Sequence, residues 1–184
     1  MISQISQKKN KKLYLILGAV ILSLIAGLRR SDVGTDTKGY VDAFELILSG
    51  QEQYVYSMES SFKTICSLLL NIYGSSTFLL LVFALITNVL ILLRLWDFRK
   101  IASLPLMTAI YFISFYFMSF NIMRQMVSVA ILFYGTRFIK KQEYLIFVIL
   151  LLIASLFHRS SLIAVCFLGL EFFQWKSLKP KQKI

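Results

Sequence analysis

The chain has 184 residues, of which 58% are hydrophobic and 16% charged, and its net charge is +11. Soluble domains are about half apolar, so this composition excludes a disordered chain and is high for a soluble one. A basic excess can indicate nucleic-acid binding, but here the charges lie in short groups between uncharged apolar stretches, as in polytopic membrane proteins. We therefore expect an all-α, polytopic integral membrane helix bundle that does not bind nucleic acid.

In chain order, the uncharged stretches predict about six transmembrane helices in one domain over residues 1–184. The first, Leu13–Leu28, follows four lysines and precedes no clear cleavage site, so it predicts an anchoring helix. The 30 uncharged residues between Lys63 and Arg94 exceed the about 20 that one span needs, which predicts a short re-entrant or interfacial helix at 64–73 before the second span. The predicted membrane helices are 13–28, 77–93, 101–120, 121–139, 143–157 and 160–175, with an outer loop at 29–63.

The basic residues predict the orientation of these helices. Six crossings place both termini on one side, and that side carries 14 of the 20 Lys and Arg residues. Cytoplasmic loops carry the basic excess in membrane proteins, so both termini are expected to be cytoplasmic. The other side carries Arg29, Arg30, Lys38, Lys63, Arg124 and Arg159.

The predicted outer loop at 29–63 contains six of the nine acidic residues. It opens with Arg29 and continues to Asp36 and Thr37, which can hydrogen-bond their own backbone or cap a helix over 40–48. From the residues alone, this segment can be either a capped loop-to-helix junction or part of a functional site.

Two further polar clusters lie at predicted outer ends of spans. Asn121, Arg124 and Gln125 mark the start of the fourth span. An arginine costs roughly 2.5–3.5 kcal/mol at the centre of a membrane helix, so Arg124 either faces a polar cavity or reaches the headgroups through its long stem. His158 and Arg159 form the short link before the last span, and a lone histidine cannot form a metal site by itself.

Together, these clusters predict an anion site at the outer face. Guanidinium groups bind phosphate oxygens in bidentate geometry, which assigns this role to Arg29, Arg30, Arg124 and Arg159. Asp36 and His158 are the nearby candidates for proton transfer. The residues alone therefore predict a phosphate-bearing, lipid-linked substrate. We expect Arg29, Asp36, Arg124 and His158 to converge on one outward-facing cavity.

Three motifs, in this order, resemble the EpsG family. They are Ala26-Gly27-Leu28-Arg29 with Val33-Gly34-Thr35-Asp36, Phe120-Asn121 with Arg124-Gln125, and Ser155-Leu156-Phe157-His158-Arg159-Ser160-Ser161-Leu162-Ile163. In addition, Glu59-Ser60-Ser61-Phe62 lies where that family tends to have an acidic residue and a turn before a short hydrophobic helix. The resemblance covers Ala26 to Ile163, which is most of the chain.

The resemblance implies a multi-pass protein of the bacterial cytoplasmic membrane that acts in exopolysaccharide or capsule synthesis, similar to the Wzy-type polymerases. Such a glycosyltransferase joins oligosaccharide repeat units carried on undecaprenyl diphosphate at the outer leaflet. The catalytic candidates are then Asp36, Arg124 and His158, and the substrate-binding candidates are Arg29, Asn121, Gln125 and Arg159. No metal or other cofactor is implied, because arginines can supply the positive charge.

The resemblance implies members commonly about twice this length, so we expect the chain to correspond to their N-terminal half. The alternatives are then a truncated product, half of a split protein, or a compact member that assembles with itself. One alternative function is a non-catalytic membrane partner of a polysaccharide assembly or export complex, which binds membrane lipid. A small lipid or solute transporter ranks third, because the polar residues inside the spans form no obvious path.

Overall fold

The computed structural model describes residues 2–56 and 58–171, which form helices and turns with no strand among them. The helices are α1 (Ile2–Gly27), α2 (Thr37–Leu48), α3 (Ser60–Ile72), α4 (Ser76–Phe98), α5 (Leu104–Tyr111), α6 (Met123–Lys140) and α7 (Tyr144–Phe157). Shorter 3-10 segments cover Glu52–Tyr54, Met118–Phe120 and Arg159–Val165, and a π-helical turn covers Phe112–Tyr116. The prediction of an all-α protein is confirmed.

The first long helix packs antiparallel to α4 at close range. Asn88 Nδ2 of α4 donates a hydrogen bond to Ser23 Oγ of α1 (3.2 Å), and Gly27 lies against Leu81. A Cβ at Gly27 would lie 2.6 Å from the Leu81 Cα, so this approach requires glycine. Small residues allow such close contacts between membrane helices.

Helices α6 and α7 form an antiparallel pair beside α4. Ser128 Oγ donates to the Ala154 carbonyl (2.8 Å), and Gly135 packs on Phe147. Since α7 runs opposite to α6, residue 158 returns to the end of the bundle where α6 begins. Residues 121–124 and 158 therefore lie at one end of the bundle, and the turn between α6 and α7 lies at the other end.

Helices α2 and α3 pack against the end of this bundle. Phe62 of α3 is fully buried and contacts Phe83 of α4 and Phe157 of α7, with ring centroids 5.4 and 6.2 Å away. Ser61 Oγ donates to the Leu156 carbonyl (2.9 Å) and joins the start of α3 to the end of α7. Packing of α3 thus fixes the residue just before it, Glu59, beside the ends of two other helices.

The predicted loop at 29–63 and the predicted short helix at 64–73 differ from the structure. The loop contains α2, and the short helix begins at Ser60, because Lys63 lies within a helix and does not end one. The predicted helix at 160–175 is a 3-10 segment to Val165 followed by helical backbone at 166–171, and 172–175 lies outside the described residues.

The predicted helix at 101–120 is interrupted by the π-helical turn. Tyr111 and Tyr116 are both buried, and their hydroxyls donate to Asn88 Oδ1 (2.7 Å) and the Leu22 carbonyl (2.8 Å). In an α-helix, residues three and four apart share a face, whereas a π turn brings residues five apart into line. The extra residue in this turn lets both tyrosines reach the α1–α4 pair.

Among the described residues, α4 is the one helix that is both long and apolar enough to cross a membrane. The apolar helices Leu13–Gly27, Leu104–Tyr116 and Tyr144–Phe157 are shorter. The six-crossing topology and the position of both termini therefore stay predictions.

Candidate functional site

Three polar side chains meet where α6 begins, and we call Glu59, Arg124 and His158 the charged centre. Arg124, on the first turn of α6, forms a salt bridge with Glu59 Oε2. His158 Nδ1 lies 3.5 Å from the other carboxylate oxygen, Glu59 Oε1. The exposed fractions of the Glu59, Arg124 and His158 side chains are 19%, 17% and 21%, so water reaches each of them only in part.

Each residue of the charged centre comes from a helix end. Glu59 has extended backbone and precedes α3, Arg124 lies in the first turn of α6, and His158 follows α7. The Arg124 guanidinium also lies over the ring of Phe62, 5.5 Å from its centroid. The Phe62 ring therefore makes a cation–π contact with the arginine, and Glu59 provides its counter-charge.

The Glu59 carboxylate is stabilised in its ionised form. Partial burial raises its pKa, but its own backbone N–H, Arg124, His158 and the backbone N–H of Arg159 lower it by more, so the pKa lies below its usual value. Hydrogen bonds and positive charges favour the ionised form of a carboxyl group. The charged centre therefore holds an ionised carboxylate between the Arg124 guanidinium and the His158 ring.

A second group of residues, the Arg29 cluster, joins the end of α1 to the chain before α6. Arg29 Nε donates to Thr37 Oγ1 (3.1 Å), its Nη2 donates to the Phe120 carbonyl (3.3 Å), and its guanidinium lies over the Phe120 ring. Asn121 Oδ1 accepts a hydrogen bond from the Thr35 N–H (2.9 Å). Arg29 and Asn121 therefore hold the turn that precedes α2 in place through their side chains.

The remaining predicted site residues lie at the same end with exposed side chains. Asp36 precedes α2, Arg159 begins a 3-10 segment, and Gln125 lies one residue after Arg124. The structure thus brings Arg124 and His158 together, and it places Arg29 and Asn121 in the adjoining Arg29 cluster. Asp36 and Arg159 are surface residues beside these two groups.

A cleft of about 790 Å³ opens next to the charged centre, and we call it the α6 cleft. One wall is a face of α6 and the other is the segment 158–167. Gln125, His158, Ser160 and Ser161 line the end near the charged centre. Most of the remaining lining is apolar, including Val129, Leu132, Phe133, Ile163 and Phe167.

Glu59 is the member of the charged centre that sequence reasoning left out of the site. It is one of six acidic residues in the predicted loop at 29–63, and composition does not distinguish it from the other five. Its signal was positional, since it immediately precedes a short apolar helix. Within residues 2–56 and 58–171, no group of three or more His, Cys, Asp and Glu residues could hold a metal ion.

These features define an all-α protein with a span-length apolar helix and a charged centre at one end of its bundle. The family model described as the EpsG family matches residues 12–181. The chain belongs to the EpsG family, which confirms the resemblance seen in the motifs and assigns it to polysaccharide-polymerase-like membrane proteins. No curated protein and no solved structure matches the chain.

Proposed function

We propose that this protein transfers oligosaccharide repeat units from a lipid diphosphate at the outer face of the bacterial cytoplasmic membrane. The observation that carries the proposal is the charged centre of Glu59, Arg124 and His158 beside the α6 cleft. A phosphate-linked lipid with a sugar needs a cationic group, a proton acceptor and an apolar surface, and all three occur together here.

The proposed orientation is supported by the two ends of the bundle. At the end opposite the charged centre, Arg94 is buried and donates to Thr136 Oγ1 (3.0 Å) and to Asp97 Oδ2 (3.3 Å). Arg137 also approaches Asp97 Oδ2, at 3.7 Å. Further basic residues at the same end are Arg99, Lys100, Lys140 and Lys141. With the four lysines that precede Leu13, this end carries more basic residues than the end with the charged centre. The positive-inside rule therefore favours it as the cytoplasmic end and favours an outward-facing charged centre.

The surface of the bundle suits a bilayer. Large apolar side chains are exposed along α1 and α7, including Leu17, Ile21, Leu24, Leu145, Ile149 and Leu152. Soluble monomers rarely expose contiguous apolar surfaces of this kind. We therefore retain the predicted multi-pass topology as part of the proposal.

In the proposed reaction, the bond between the donor sugar and its diphosphate breaks as the acceptor hydroxyl attacks the anomeric carbon. The hydroxyl proton passes to a base, and negative charge develops on the departing lipid diphosphate. Arg124 stabilises that charge, since preorganised cationic groups contribute most where charge develops. A diphosphate carries more negative charge than Glu59, so it can compete with this carboxylate for the guanidinium.

His158 is the base that the geometry favours. Its Nδ1 faces Glu59, which leaves Nε2 as the nitrogen available to a substrate hydroxyl. A carboxylate that orients a histidine in this way is a common arrangement in general-base catalysis. The 3.5 Å contact is long, and such contacts often tighten when substrate binds. Glu59 is then a positioning residue for both of its partners.

The other predicted residues take supporting roles. Gln125, at the rim of the α6 cleft, is placed to hydrogen-bond sugar or phosphate. Arg29 and Asn121 position the outer turn through the contacts of the Arg29 cluster. Asp36 and Arg159 are exposed at this end and can contact the glycan or the diphosphate.

The test is complementation of a bacterial strain that lacks its own repeat-unit polymerase and supplies the cognate lipid-linked unit. We expect polymer with the wild type and at least a tenfold loss with Arg124→Ala. Arg137→Ala is the matched control, since this residue lies on the same helix and also pairs with an acid, but at the other end.

Membrane levels of each variant are measured with a tag. Wild-type polymer levels from Arg124→Ala would contradict the proposed site. Absence of polymer from a well-inserted wild type would contradict the enzyme itself and support a non-catalytic partner of the assembly complex.

A further inference from the structure

A second group of charged side chains lies at the end of the bundle opposite the charged centre, and we call Arg94, Asp97, Arg137 and Lys140 the basic cluster. Asp97 Oδ2 accepts a hydrogen bond from Arg94 Nη1 (3.3 Å) and lies 3.7 Å from Arg137 Nε. Among residues 2–56 and 58–171, Asp97 is the one acid that forms salt bridges at this end. Three cationic side chains therefore share one carboxylate, and the cluster has an excess of positive charge.

Arg137 keeps an unsatisfied donor inside this cluster. Its Nε is buried and has no hydrogen-bond partner in the described part of the chain, because 3.7 Å to Asp97 is too long for a hydrogen bond. The guanidinium lies over the rings of Tyr134 and Phe138, 4.9 and 5.8 Å from their centroids. Ring faces attract the charge but do not replace an oxygen acceptor. The side chain is 28% exposed, so an anion with oxygen acceptors can approach it from the surface.

Lys140 is the second cation of the cluster that a ligand can reach. Its Nζ lies 5.2 Å from the centroid of the Phe98 ring, and the Arg94 guanidinium lies 4.4 Å from the same centroid. Lys140 is exposed and forms no salt bridge with any residue that the structure describes. Arg94, by contrast, is buried. Arg137 and Lys140 are therefore the two cations available to an external anion.

The depth of the basic cluster matches that of a lipid headgroup. Helix α4 begins at Ser76 and is the one described helix that is long and apolar enough to cross a membrane. Arg94 lies 18 residues after Ser76, about 27 Å at 1.5 Å per residue, and the hydrocarbon core of a bilayer is about 30 Å thick. When α4 spans the membrane, the cluster therefore lies at the level of the phosphate groups.

Exposed apolar side chains flank the basic cluster. The chain turns after α4 through a hydrogen bond from the Ile101 N–H to the Phe98 carbonyl (2.9 Å), and the Ile101 side chain is 77% exposed. Leu145, at the start of α7, is 74% exposed. A dissolved anion makes no use of apolar surface, whereas a phospholipid covers it with acyl chains. Basic pockets between membrane helices are sites for anionic lipid headgroups.

We propose that the basic cluster binds the headgroup of an anionic phospholipid, with its phosphodiester between Arg137 and Lys140 and its acyl chains along Ile101 and Leu145. The phosphate oxygens accept hydrogen bonds from the guanidinium and ammonium groups, which Asp97 alone does not satisfy. Binding requires that α4 spans the membrane, and it is independent of the reaction proposed above.

The experiment uses the full chain in phosphatidylcholine nanodiscs that contain a small fraction of phosphatidylglycerol with a diazirine near the glycerol end of one acyl chain. After irradiation, we expect labelled peptides around Ile101 and around Leu145. Arg137→Gln and Lys140→Gln should each lower this labelling roughly fivefold, because each removes one cation from the headgroup. Labelling confined to other helices would overturn the proposal.

Arg99→Gln is the matched control and should leave the labelling unchanged. Arg99 lies at the same end, but its Nη1 donates to the Trp96 carbonyl of its own helix (2.6 Å) and its guanidinium lies over the Trp96 ring. Equal losses from Arg99→Gln and Arg137→Gln would show general attraction to a basic surface and overturn the site. Lys140→Gln separates binding from folding, since Lys140 is exposed and its replacement should leave the melting temperature in pure phosphatidylcholine unchanged.

Melting temperatures give a second readout. Phosphatidylglycerol should raise the melting temperature of the wild type above its value in pure phosphatidylcholine, because a ligand that binds only the folded chain stabilises it. Arg137→Gln should abolish most of this rise. Two further results would overturn the proposal: labelling removed by an excess of inorganic phosphate, which indicates a site for a free anion, or equal labelling by a diazirine phosphatidylcholine.

The lipid site and the proposed enzyme can fail separately. Arg137 lies 13 residues after Arg124 on α6, about 20 Å along the helix, so the basic cluster takes no part in the transfer and Arg137→Ala remains the control for it. Labelling requires no turnover. A chain that makes no polymer but is labelled at the cluster loses the proposed enzyme and retains the lipid site, whereas polymer without labelling has the opposite meaning.

Discussion

Arg124 and Glu59 form a partly buried salt bridge although 65 positions separate them in the chain. The contact joins the first turn of α6 to the residue that precedes α3. Because both side chains are largely shielded from water, each depends on the other for compensation of its charge. The pair therefore links the stability of this end of the bundle to the chemistry proposed for it.

We expect Glu59→Gln to weaken both folding and activity. The substitution keeps the shape of the side chain but removes the charge opposite Arg124, and a hydrogen bond to a charged group contributes about 1.5–3 kcal/mol. The melting temperature in detergent should fall, and polymer formation should fall at least tenfold. Glu52→Gln, at an exposed acid of the same loop, should change neither, and equal effects of both substitutions would contradict this assignment.

Acid should destabilise the protein through Glu59. Its pKa is lower in the folded chain than in the unfolded one. Its contribution to the free energy of unfolding is therefore complete above the unfolded pKa of about 4.3, and it is lost as the pH falls through the folded pKa. Melting temperatures between pH 7 and pH 3 should therefore decrease more steeply for the wild type than for Glu59→Gln. Parallel curves would show that Glu59 titrates alike in both states.

Gly34→Ala should destabilise the Arg29 cluster. Gly34 has a φ of +92°, and a Cβ there would lie 2.9 Å from both Asn121 Oδ1 and Thr37 Oγ1. A left-handed residue with a side chain costs about 1–2 kcal/mol before any clash. Gly39→Ala is the control, since it lies in α2 with no atom within 4 Å and alanine favours helices. The melting temperature should therefore fall for Gly34→Ala and rise for Gly39→Ala.

Gly27→Ala should separate α1 from α4. The added methyl group would overlap the backbone of Leu81, and overpacking of this kind costs about 1–3 kcal/mol. Gly18→Ala, on the same helix with open space around it, should be neutral or stabilising. Unfolding in detergent compares the two, and equal stabilities would contradict the close crossing.

The proposed orientation can be tested with single cysteines in a chain whose Cys66 and Cys166 are replaced by serine. Lys38→Cys, in the outer loop, should react with a membrane-impermeant maleimide in intact cells from which any outer membrane has been removed. Lys141→Cys, at the opposite end of the bundle, should react only after the membrane is opened. The reverse pattern would invert the topology and place the charged centre in the cytoplasm.

Much of the helical layout was predictable from charge spacing. The predicted helices at 77–93 and 143–157 differ by few residues from the apolar part of α4 and from α7. Charged residues rarely lie within an apolar span, so their positions bound the helices. The same rule misplaced the start of α3, because Lys63 lies within that helix although its neighbour Phe62 is buried in the core.

The details of the site were less predictable because they depend on distant partners. Arg29 donates to the Phe120 carbonyl across 91 positions, so its side chain holds the turn that precedes α2 in a way that local spacing does not indicate. The π-helical turn likewise depends on acceptors for Tyr111 and Tyr116 on other helices. Glu59 lies in the charged centre because the packing of Phe62 fixes the start of α3. The local sequence around the acidic residues does not indicate that packing.

The order of Glu59 and Arg124 along the chain has a consequence for biosynthesis. At about 5–20 residues per second, the ribosome makes Arg124 roughly 3–13 s after Glu59. If the first helices insert as they emerge, the carboxylate is already at the outer surface when α6 enters the membrane. We expect the Glu59 carboxylate, already in position, to lower the free energy of inserting α6 with its arginine. Glu59 would then assist assembly before it takes part in any reaction.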